Sequence, residues 1–212
     1  SGGVDSSLVC KFASDNEKIN TYYAKNQNDE NIFDDMSNEV SKSIESNHNL
    51  LEVNDLKKRT SKEELLKIIQ MQEAPRGFKK ALNNKLKNNN FGLVAEIKKA
   101  SPSKGVIKSD FNPVKIAKEY FKGGAACLSI LTEEKWFKGS INYLINVKKH
   151  TKLPILRKDF ILDPWQIYES RSIGADCILI ILAAVNDNLA QELINISNSL
   201  GMDVLVETHN EK

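Results

Sequence analysis

From residue 91 onward, short apolar segments alternate with longer amphipathic ones. The apolar segments predict five strands, over Gly92–Ile97, Ala126–Leu131, Pro154–Leu156, Cys177–Leu182 and Asp203–Val206. The segments that follow the first four predict helices, over Pro113–Phe121, Ile141–Lys149, Pro164–Ser172 and Asn188–Leu200. The strands are apolar almost throughout, as is typical of parallel strands covered by helices. This alternation predicts a parallel α/β fold, either an open sheet or half or more of a (β/α) barrel.

Glycine and proline mark the ends of the predicted helices. Gly123, Gly174 and Gly201 each stand just before a strand, where a left-handed residue commonly ends a helix. Pro113 and Pro164 stand at first helical positions, where a missing N–H is tolerated. Both signals support the predicted boundaries.

The first 74 residues are less regular. Ser61 and Glu64 have the spacing of a capping box and precede an apolar run, which predicts a helix over residues 62–72. Leu8–Ala13 suggests a short helix, whereas Lys18–Tyr23 and Leu50–Val53 suggest short strands.

Composition excludes several classes of protein. The chain is 41% apolar and 27% charged, as in ordinary globular proteins, and its longest apolar run, Cys177–Val185, is too short to span a membrane. We expect a cytoplasmic protein, because no signal-peptide pattern opens the chain. The three cysteines form no CxxC pair and the three histidines are far apart, so no disulfide framework or metal site is expected. The lysines are scattered among acidic residues, which argues against nucleic-acid binding.

Charge divides the chain unevenly. Residues 1–74 contain 9 basic and 14 acidic residues, whereas residues 75–212 contain 21 basic and 14 acidic residues. This shift is consistent with a junction between two pieces of different origin, or with a local fluctuation.

Charged residues cluster where the predicted strands end. In parallel architectures the reacting groups gather at the carboxyl ends of strands, so we expect Glu96, Lys98, Lys158 and Glu207 to face one cleft. Glu96 lies inside an apolar strand, where an unpaired carboxylate is costly, so it is predicted to be functional or ion-paired. The alternative for each lysine is simple solvation at a strand end.

The segment Val94–Gly105, V-A-E-I-K-K-A-S-P-S-K-G, resembles the signature of the indole-3-glycerol-phosphate synthase family. Further motifs of that family follow in order, at 123–129, 137–140, 156–160 and 202–207. For residues 75–212 the resemblance implies a (β/α)8 TIM barrel and a carboxy-lyase of tryptophan biosynthesis. Its substrate would be a carboxyphenylamino-deoxyribulose phosphate, which closes a ring with loss of carbon dioxide and water.

The resemblance also implies catalytic roles. Lys158 would be the general acid, and Lys98 would lie by the substrate carboxylate or share that role. Glu207 would be the base or charge partner of the anilino nitrogen, and Glu96 would orient the lysines. Lysines crowded together in a dry site can donate a proton near neutrality, which is consistent with this assignment.

Three more residues would bind the substrate by the same resemblance. Phe137 and Phe160 would sandwich its aromatic ring, and Ser101 would help to place its polar end. For the two phenylalanines, packing at the top of the barrel is the alternative. No cofactor or metal is implied for the synthase part, and its partner is a small phosphorylated molecule.

The first residues, S-G-G-V-D-S-S, resemble the pyrophosphate loop of ATP pyrophosphatases. With the segments at 18–22, 47–53 and 64–75, they resemble the synthetase domain of glutamine-dependent asparagine synthetase. The resemblance implies that ATP with Mg²⁺ would bind the residues Ser1, Gly2, Gly3, Asp5 and Ser6, if this part were functional. An ordinary Gly/Ser turn is the alternative.

Two domains are therefore expected. Residues 1–74 would be a fragment of an ATP-pyrophosphatase-type α/β domain, and residues 75–212 a partial TIM barrel of strands 1–5. We place the junction at residues 73–76, with no synthase helix before the barrel.

The resembled barrel has eight units, whereas five strands are predicted here. We therefore expect an open partial barrel of poor solubility and negligible synthase turnover. The main functional hypothesis is an incomplete indole-3-glycerol-phosphate synthase. The alternatives are an asparagine synthetase fragment or a non-catalytic truncated fusion, and the oligomeric state is left open.

Overall fold

The structure is a computed structural model that describes residues 9–10, 21–22 and 48–208. Strands β1 (Val9–Cys10) and β2 (Thr21–Tyr22) form a short antiparallel pair. The helix predicted over Leu8–Ala13 is therefore wrong at residues 9–10, and the strand predicted over Lys18–Tyr23 is confirmed at residues 21–22. The predicted pyrophosphate-loop residues lie outside the described residues.

A five-stranded parallel sheet forms the centre of the fold. Its strands follow one another in chain order: β3 (Val94–Ile97), β6 (Cys127–Leu131), β7 (Ile155–Lys158), β8 (Cys177–Ile181) and β9 (Asp203–Glu207). This confirms the prediction of five consecutive parallel strands. The arrangement is consistent with a partial TIM barrel.

Helices precede the sheet and alternate with its strands. They are α1 (His48–Arg59), α2 (Lys62–Gln70), α3 (Phe78–Lys87), α4 (Pro113–Lys122), α5 (Ile141–His150), α6 (Pro164–Ser172) and α7 (Asp187–Ser199). The four helices predicted between strands are confirmed as α4 to α7, and a single 3₁₀ turn (Leu182–Ala184) follows β8. A two-stranded hairpin that the pattern did not predict, β4 (Ala100–Ser101) with β5 (Gly105–Val106), follows β3.

The sheet buries apolar residues on both faces. The outer face packs against the helices, with Ile130 and Ile178 beside Leu144, Ile167 and others. The inner face has a smaller apolar layer that includes Phe78 and Leu82 of α3.

Helix α3 lies at the amino ends of the strands. The Lys79 N–H donates to Asp203 Oδ2 at the start of β9 (3.0 Å), and the Cys127 thiol at the start of β6 donates to the Phe78 carbonyl (3.5 Å). Helix α3 therefore covers the amino end of the inner face. A reactive site is expected at the opposite, carboxyl end of the strands.

The helix ends follow the local signals, with one difference. Asp163 accepts a hydrogen bond from Trp165 N and caps α6, and Gln166 completes a capping box. Gly174 takes a left-handed conformation after α6, as predicted (φ 90°). After α4, however, Gly123 stays right-handed and Gly124 turns left-handed (φ 86°), because α4 extends one residue beyond the predicted end.

Helices α1 and α2 pack against α6. Val53, Leu65 and Trp165 are buried together, and the Trp165 indole N–H donates to the Thr60 carbonyl (2.9 Å). The strand predicted over Leu50–Val53 is wrong, because these residues belong to α1. A segment of four residues, three of them apolar, does not distinguish a strand from a helix, and packing on Trp165 favours the helix. The capping box of α2 is confirmed: Ser61 and Glu64 hydrogen-bond to each other's backbone N–H.

A charged cluster holds the amino end of the sheet together. Asp176 is fully buried, and each of its carboxylate oxygens accepts a hydrogen bond from Lys148 Nζ (2.7 Å). The same carboxylate accepts the backbone N–H groups of Arg76 (2.6 Å) and Ile155 (2.8 Å). Burial lowers the pKa of Lys148 despite the attraction of Asp176. We call Asp176, Lys148 and Arg76 the amino-end cluster.

The Arg76 side chain extends the amino-end cluster to the backbone. Its guanidinium donates to the carbonyls of Thr151 (2.7 Å), Leu153 (3.2 Å) and Lys148 (3.1 Å). The segment that joins α2 to α3 is thus tied to the loop between α5 and β7.

Candidate active site

One carboxylate is shared by two lysines at the carboxyl end of the sheet. Glu96 Oε1 lies 2.7 Å from Lys98 Nζ, and Glu96 Oε2 lies 2.9 Å from Lys158 Nζ. We call these three residues the carboxyl-end cluster. Of the four charged residues predicted to face one cleft, Glu96, Lys98 and Lys158 lie together here.

The strand geometry explains how the cluster forms. Glu96 is the third residue of β3, and Lys98, two residues later, falls on the same face. Lys158 is the last residue of β7. The Tyr120 hydroxyl of α4 donates to the Glu96 carbonyl (3.1 Å), which fixes the backbone of β3 at this position.

The cluster is partly open to solvent. The side chains of Glu96, Lys98 and Lys158 are 22%, 31% and 37% exposed. Burial by itself would raise the pKa of Glu96, but the two ammonium groups outweigh it and hold this pKa below its usual range. Glu96 is therefore ionised at neutral pH and remains the counter-ion of both lysines.

Glu207 lies at the same end and on the same face of the sheet. It is the last residue of β9, paired with Ile181 of β8, and strand alternation places it on the face of Leu205 in the inner apolar layer. Glu207 is half-buried. Its role stays a prediction.

A buried network lies behind the cluster, on the helix side of β7. Arg157 Nη1 donates to Glu169 Oε2 of α6 (2.7 Å), and Arg157 Nη2 donates to Asp159 Oδ2 (3.0 Å). Arg157 Nε also donates to Thr132 Oγ1 (3.1 Å), which follows β6. The two carboxylates outweigh the effect of burial and raise the pKa of Arg157.

The Arg157 network joins the ends of β6 and β7 to α6, so it fixes the strand that presents Lys158. Sequence reasoning missed this role. Strand alternation alone could have shown that Arg157 faces the helices when Lys158 faces the cleft.

The loop after β6 carries Phe137. Glu133 Oε2 accepts the backbone N–H groups of Trp136 (2.7 Å) and Phe137 (3.0 Å), and burial raises the pKa of Glu133. Gly139 ends the loop at a point where the backbone lies very close to the carbonyl oxygens of Glu133 and Leu131. An added Cβ would lie 2.6 Å from each of these oxygens, so a side chain does not fit there. The loop is thus held in one conformation around Phe137.

Phe160 and Ser101 are also held by local hydrogen bonds. The Phe160 N–H donates to Asp159 Oδ1 (2.9 Å), and its carbonyl accepts from Gln166 Nε2 (2.9 Å). Ser101 is buried in β4, and its hydroxyl accepts from Lys104 N (3.3 Å). Phe137 and Phe160 are half-buried and follow neighbouring strands. The sandwich of an aromatic ring between them stays a prediction.

Two structural features are absent from the described part of the chain. Among these residues no group of three or more His, Cys, Asp or Glu side chains is placed to hold a metal ion. None of their helices has the length and apolar character needed to cross a membrane.

Three curated relatives are about 50% identical to this chain over the residues that align. The chain is 52% identical over 157 residues to indole-3-glycerol phosphate synthase from Zymomonas mobilis subsp. pomaceae, which covers 74% of this chain and 60% of that protein. It is 51% identical over 139 residues to the enzyme of the same name from Rhodospirillum rubrum, covering 66% and 53%. For the one from Azospirillum brasilense the identity is 52% over 136 residues, covering 64% and 52%. The chain thus spans between about half and three fifths of these relatives.

The family model described as indole-3-glycerol phosphate synthase matches residues 43–212. The match includes α1 and α2, which lie in the part that was expected to resemble asparagine synthetase. Helices that belong to the family match therefore do precede the barrel, contrary to the expectation that they are missing. The asparagine synthetase resemblance and the junction at 73–76 stay predictions. The match over most of its length shows that this chain belongs to the indole-3-glycerol phosphate synthase family.

Proposed function

We propose that this chain carries the catalytic lysines of a synthase that closes the indole ring of a carboxyphenylamino-deoxyribulose phosphate, with loss of carbon dioxide and water. The observation that supports it best is the carboxyl-end cluster. Two lysines, one just after β3 and one at the end of β7, share the carboxylate of Glu96 at the end of the sheet where barrel enzymes hold their substrates.

The lysines would supply the acid for the reaction. Lys158 would donate a proton to the ribulose oxygen as the ring carbon attacks, and again as that oxygen leaves as water. Lys98 would hold the substrate carboxylate or share the acid role. Glu96 keeps both ammonium groups close to one point, so a substrate that enters the cleft meets them already oriented.

The remaining residues would bind and complete the site. Glu207 would accept the proton from the ring or stabilise charge on the anilino nitrogen. Phe137 and Phe160 would hold the aromatic ring, and Ser101 would contact the polar end. This reaction needs no cofactor, in agreement with the expectation for the synthase part.

Several finer hypotheses are proposals of the same kind. We keep the cytoplasmic location, the two-domain division at residues 73–76 and the conditional binding of ATP and Mg²⁺ by residues 1–6 as predictions. The same holds for the alternatives of an asparagine synthetase fragment or a non-catalytic fusion.

The test is a fluorescence assay for indole-glycerol phosphate. It is run on this chain and on a hybrid in which the rest of the Zymomonas mobilis relative continues the sequence. We expect negligible turnover from the chain and measurable turnover from the hybrid. Lys158→Met should lower the turnover of the hybrid by about 100-fold or more, the range of general acid catalysis.

Lys152→Met is the matched control, because Lys152 is exposed between α5 and β7 at the opposite end of the sheet. It should leave the hybrid's turnover within about twofold. A folded hybrid that forms no product, or equal losses from both lysine variants, would refute the proposal.

A further inference from the structure

We propose that Ser129 is a positioning residue for the carboxyl-end cluster: its small side chain on β6 lets Glu96 of β3 and Lys158 of β7 meet across the strand that separates them. The proposal deepens the proposed function, since it concerns how the two proposed catalytic groups come together. Its test does not require turnover.

The order of the strands is the first argument. Strand β6 lies between β3 and β7, so Glu96 and Lys158 belong to strands that are not neighbours. Adjacent strands are about 4.8 Å apart, so the two strands are separated by roughly twice that distance. The ion pair of 2.9 Å between Glu96 and Lys158 therefore forms over the inner face of β6.

The register identifies the residue beneath the pair. Ser129 is the partner of Glu96 on β6 and also the partner of Leu156 on β7, two residues before Lys158. Leu131 is the next residue of β6 on that face, and it pairs with Lys158 itself. Ser129 thus occupies the position between Glu96 and β7, and it is the smaller of these two β6 side chains.

The hydroxyl of Ser129 has no visible function in this arrangement. Ser129 is 4% exposed, and its Oγ has no hydrogen-bond partner among the residues whose side chains the structure describes. Buried hydroxyls are normally hydrogen-bonded, so this one is unusual. We infer that the small size of the residue is what matters here, and not its polarity.

A larger residue at this position would disturb one specific contact. Among the described residues, the charged groups that face Glu96 from this end of the sheet include Lys98, Lys158 and Glu207. A bulky residue at 129 would push Glu96 and Lys158 apart and leave Lys98 as the close partner of Glu96. Burial would then be opposed by one ammonium group in place of two, and the pKa of Glu96 would rise.

The experiment is a ¹³C NMR titration of the Glu96 carboxyl carbon in the full chain, assigned with the Glu96→Gln variant. Ser129→Ala should leave the titration midpoint of Glu96 within about 0.3 pH units of the unsubstituted chain. Ser129→Val should raise it by about one unit or more, the scale on which a nearby opposite charge acts. Far-UV circular dichroism confirms that each variant is folded.

Cys127→Val is the control for added bulk on the same strand and face, one step below the ion pair. It should lower stability without moving the Glu96 midpoint. If Ser129→Val does not fold, Ser129→Thr replaces it, with the same direction of shift expected.

An unchanged midpoint in the larger variant, or an equal shift in Ser129→Ala, would overturn the proposal. Neither result depends on turnover. Failure of the proposed function, seen as an inactive hybrid, is therefore distinguishable from failure of this inference.

Discussion

The two ends of the sheet each hold a carboxylate between basic residues, and the two sites are built differently. In the amino-end cluster, Asp176 is fully buried and receives two backbone N–H groups as well as Lys148. In the carboxyl-end cluster, Glu96 is partly exposed and its side chain pairs with two lysines. A carboxylate fixed by backbone donors in a dry site is suited to holding the fold together. One that holds two partly exposed ammonium groups near solvent leaves those ammonium groups able to contact an anionic substrate.

The largest expected effect is the loss of Asp176. Asp176→Asn removes the fully buried counter-ion of the largely enclosed Lys148 and should lower the free energy of unfolding by about 3–5 kcal/mol. Glu96→Gln should lower it by less than about 1 kcal/mol, since its partners can turn to solvent. Urea unfolding followed by circular dichroism measures both values. Equal losses of unfolding free energy in the two variants would contradict this difference between the clusters.

The Arg157 network is expected to stabilise the fold, as the amino-end cluster does. Arg157→Lys keeps the charge but cannot reach Glu169, Asp159 and Thr132 together, because an ammonium has no planar fork of donors. We expect a loss of about 1.5–3 kcal/mol in unfolding free energy.

The matched control for that substitution is Arg59→Lys, at an exposed position in the last turn of α1. It should change stability by less than about 0.5 kcal/mol. Chemical denaturation of both variants under one set of conditions decides the matter, and similar values for the two would contradict a structural role for Arg157.

The third prediction concerns pH. Because the pKa of Glu96 is lowered in the folded chain, its pairing stabilises the fold above the unfolded pKa of about 4.3 and is lost as pH falls through the lower folded value. The stability difference between the unsubstituted chain and Glu96→Gln, less than about 1 kcal/mol at pH 7, should shrink toward zero below about pH 4. Unfolding measured from pH 7 to pH 3 tests this. A difference that grows in acid would contradict the pairing.

The smallest expected effect is that of salt. Screening length falls from about 10 Å at 0.1 M to about 3 Å at 1 M ionic strength, and it acts mainly on charges near solvent. The cost of Glu96→Gln should therefore drop by a few tenths of a kcal/mol at 1 M NaCl. The cost of Asp176→Asn should stay the same within error. Paired urea titrations at the two salt concentrations give both numbers.

The parallel sheet and three members of the site could be predicted from the sequence. Apolar strands, helices ended by glycine, and the position of Lys158 after an apolar run are all local signals, and the structure confirms them. That Glu96 would be ion-paired followed from one rule, the cost of an unpaired buried carboxylate.

Other features depend on contacts between distant residues. Asp176 follows an ordinary helix-ending glycine, and nothing nearby in sequence shows that Lys148, 28 residues earlier, will be its partner. Ser129 looks like any small residue in an apolar strand until the strand order places it beneath an ion pair. The segment at 50–53 was misassigned because its helical packing partner, Trp165, is more than a hundred residues away.

The hydrogen bond from the Ile155 N–H to Asp176 has a consequence for insertions and deletions. It pins the first residue of β7, three positions before Lys158. An extra residue beside the exposed Lys152 would disturb the contacts of Arg76 with the Thr151 and Leu153 carbonyls, but it would leave the two faces of β7 unchanged. One residue added or removed between 155 and 158 would reverse the two faces of the strand, bringing the guanidinium of Arg157 into the cleft and sending the ammonium of Lys158 back among the helices. Length changes on either side of this single hydrogen bond should thus differ sharply in how well the molecule tolerates them.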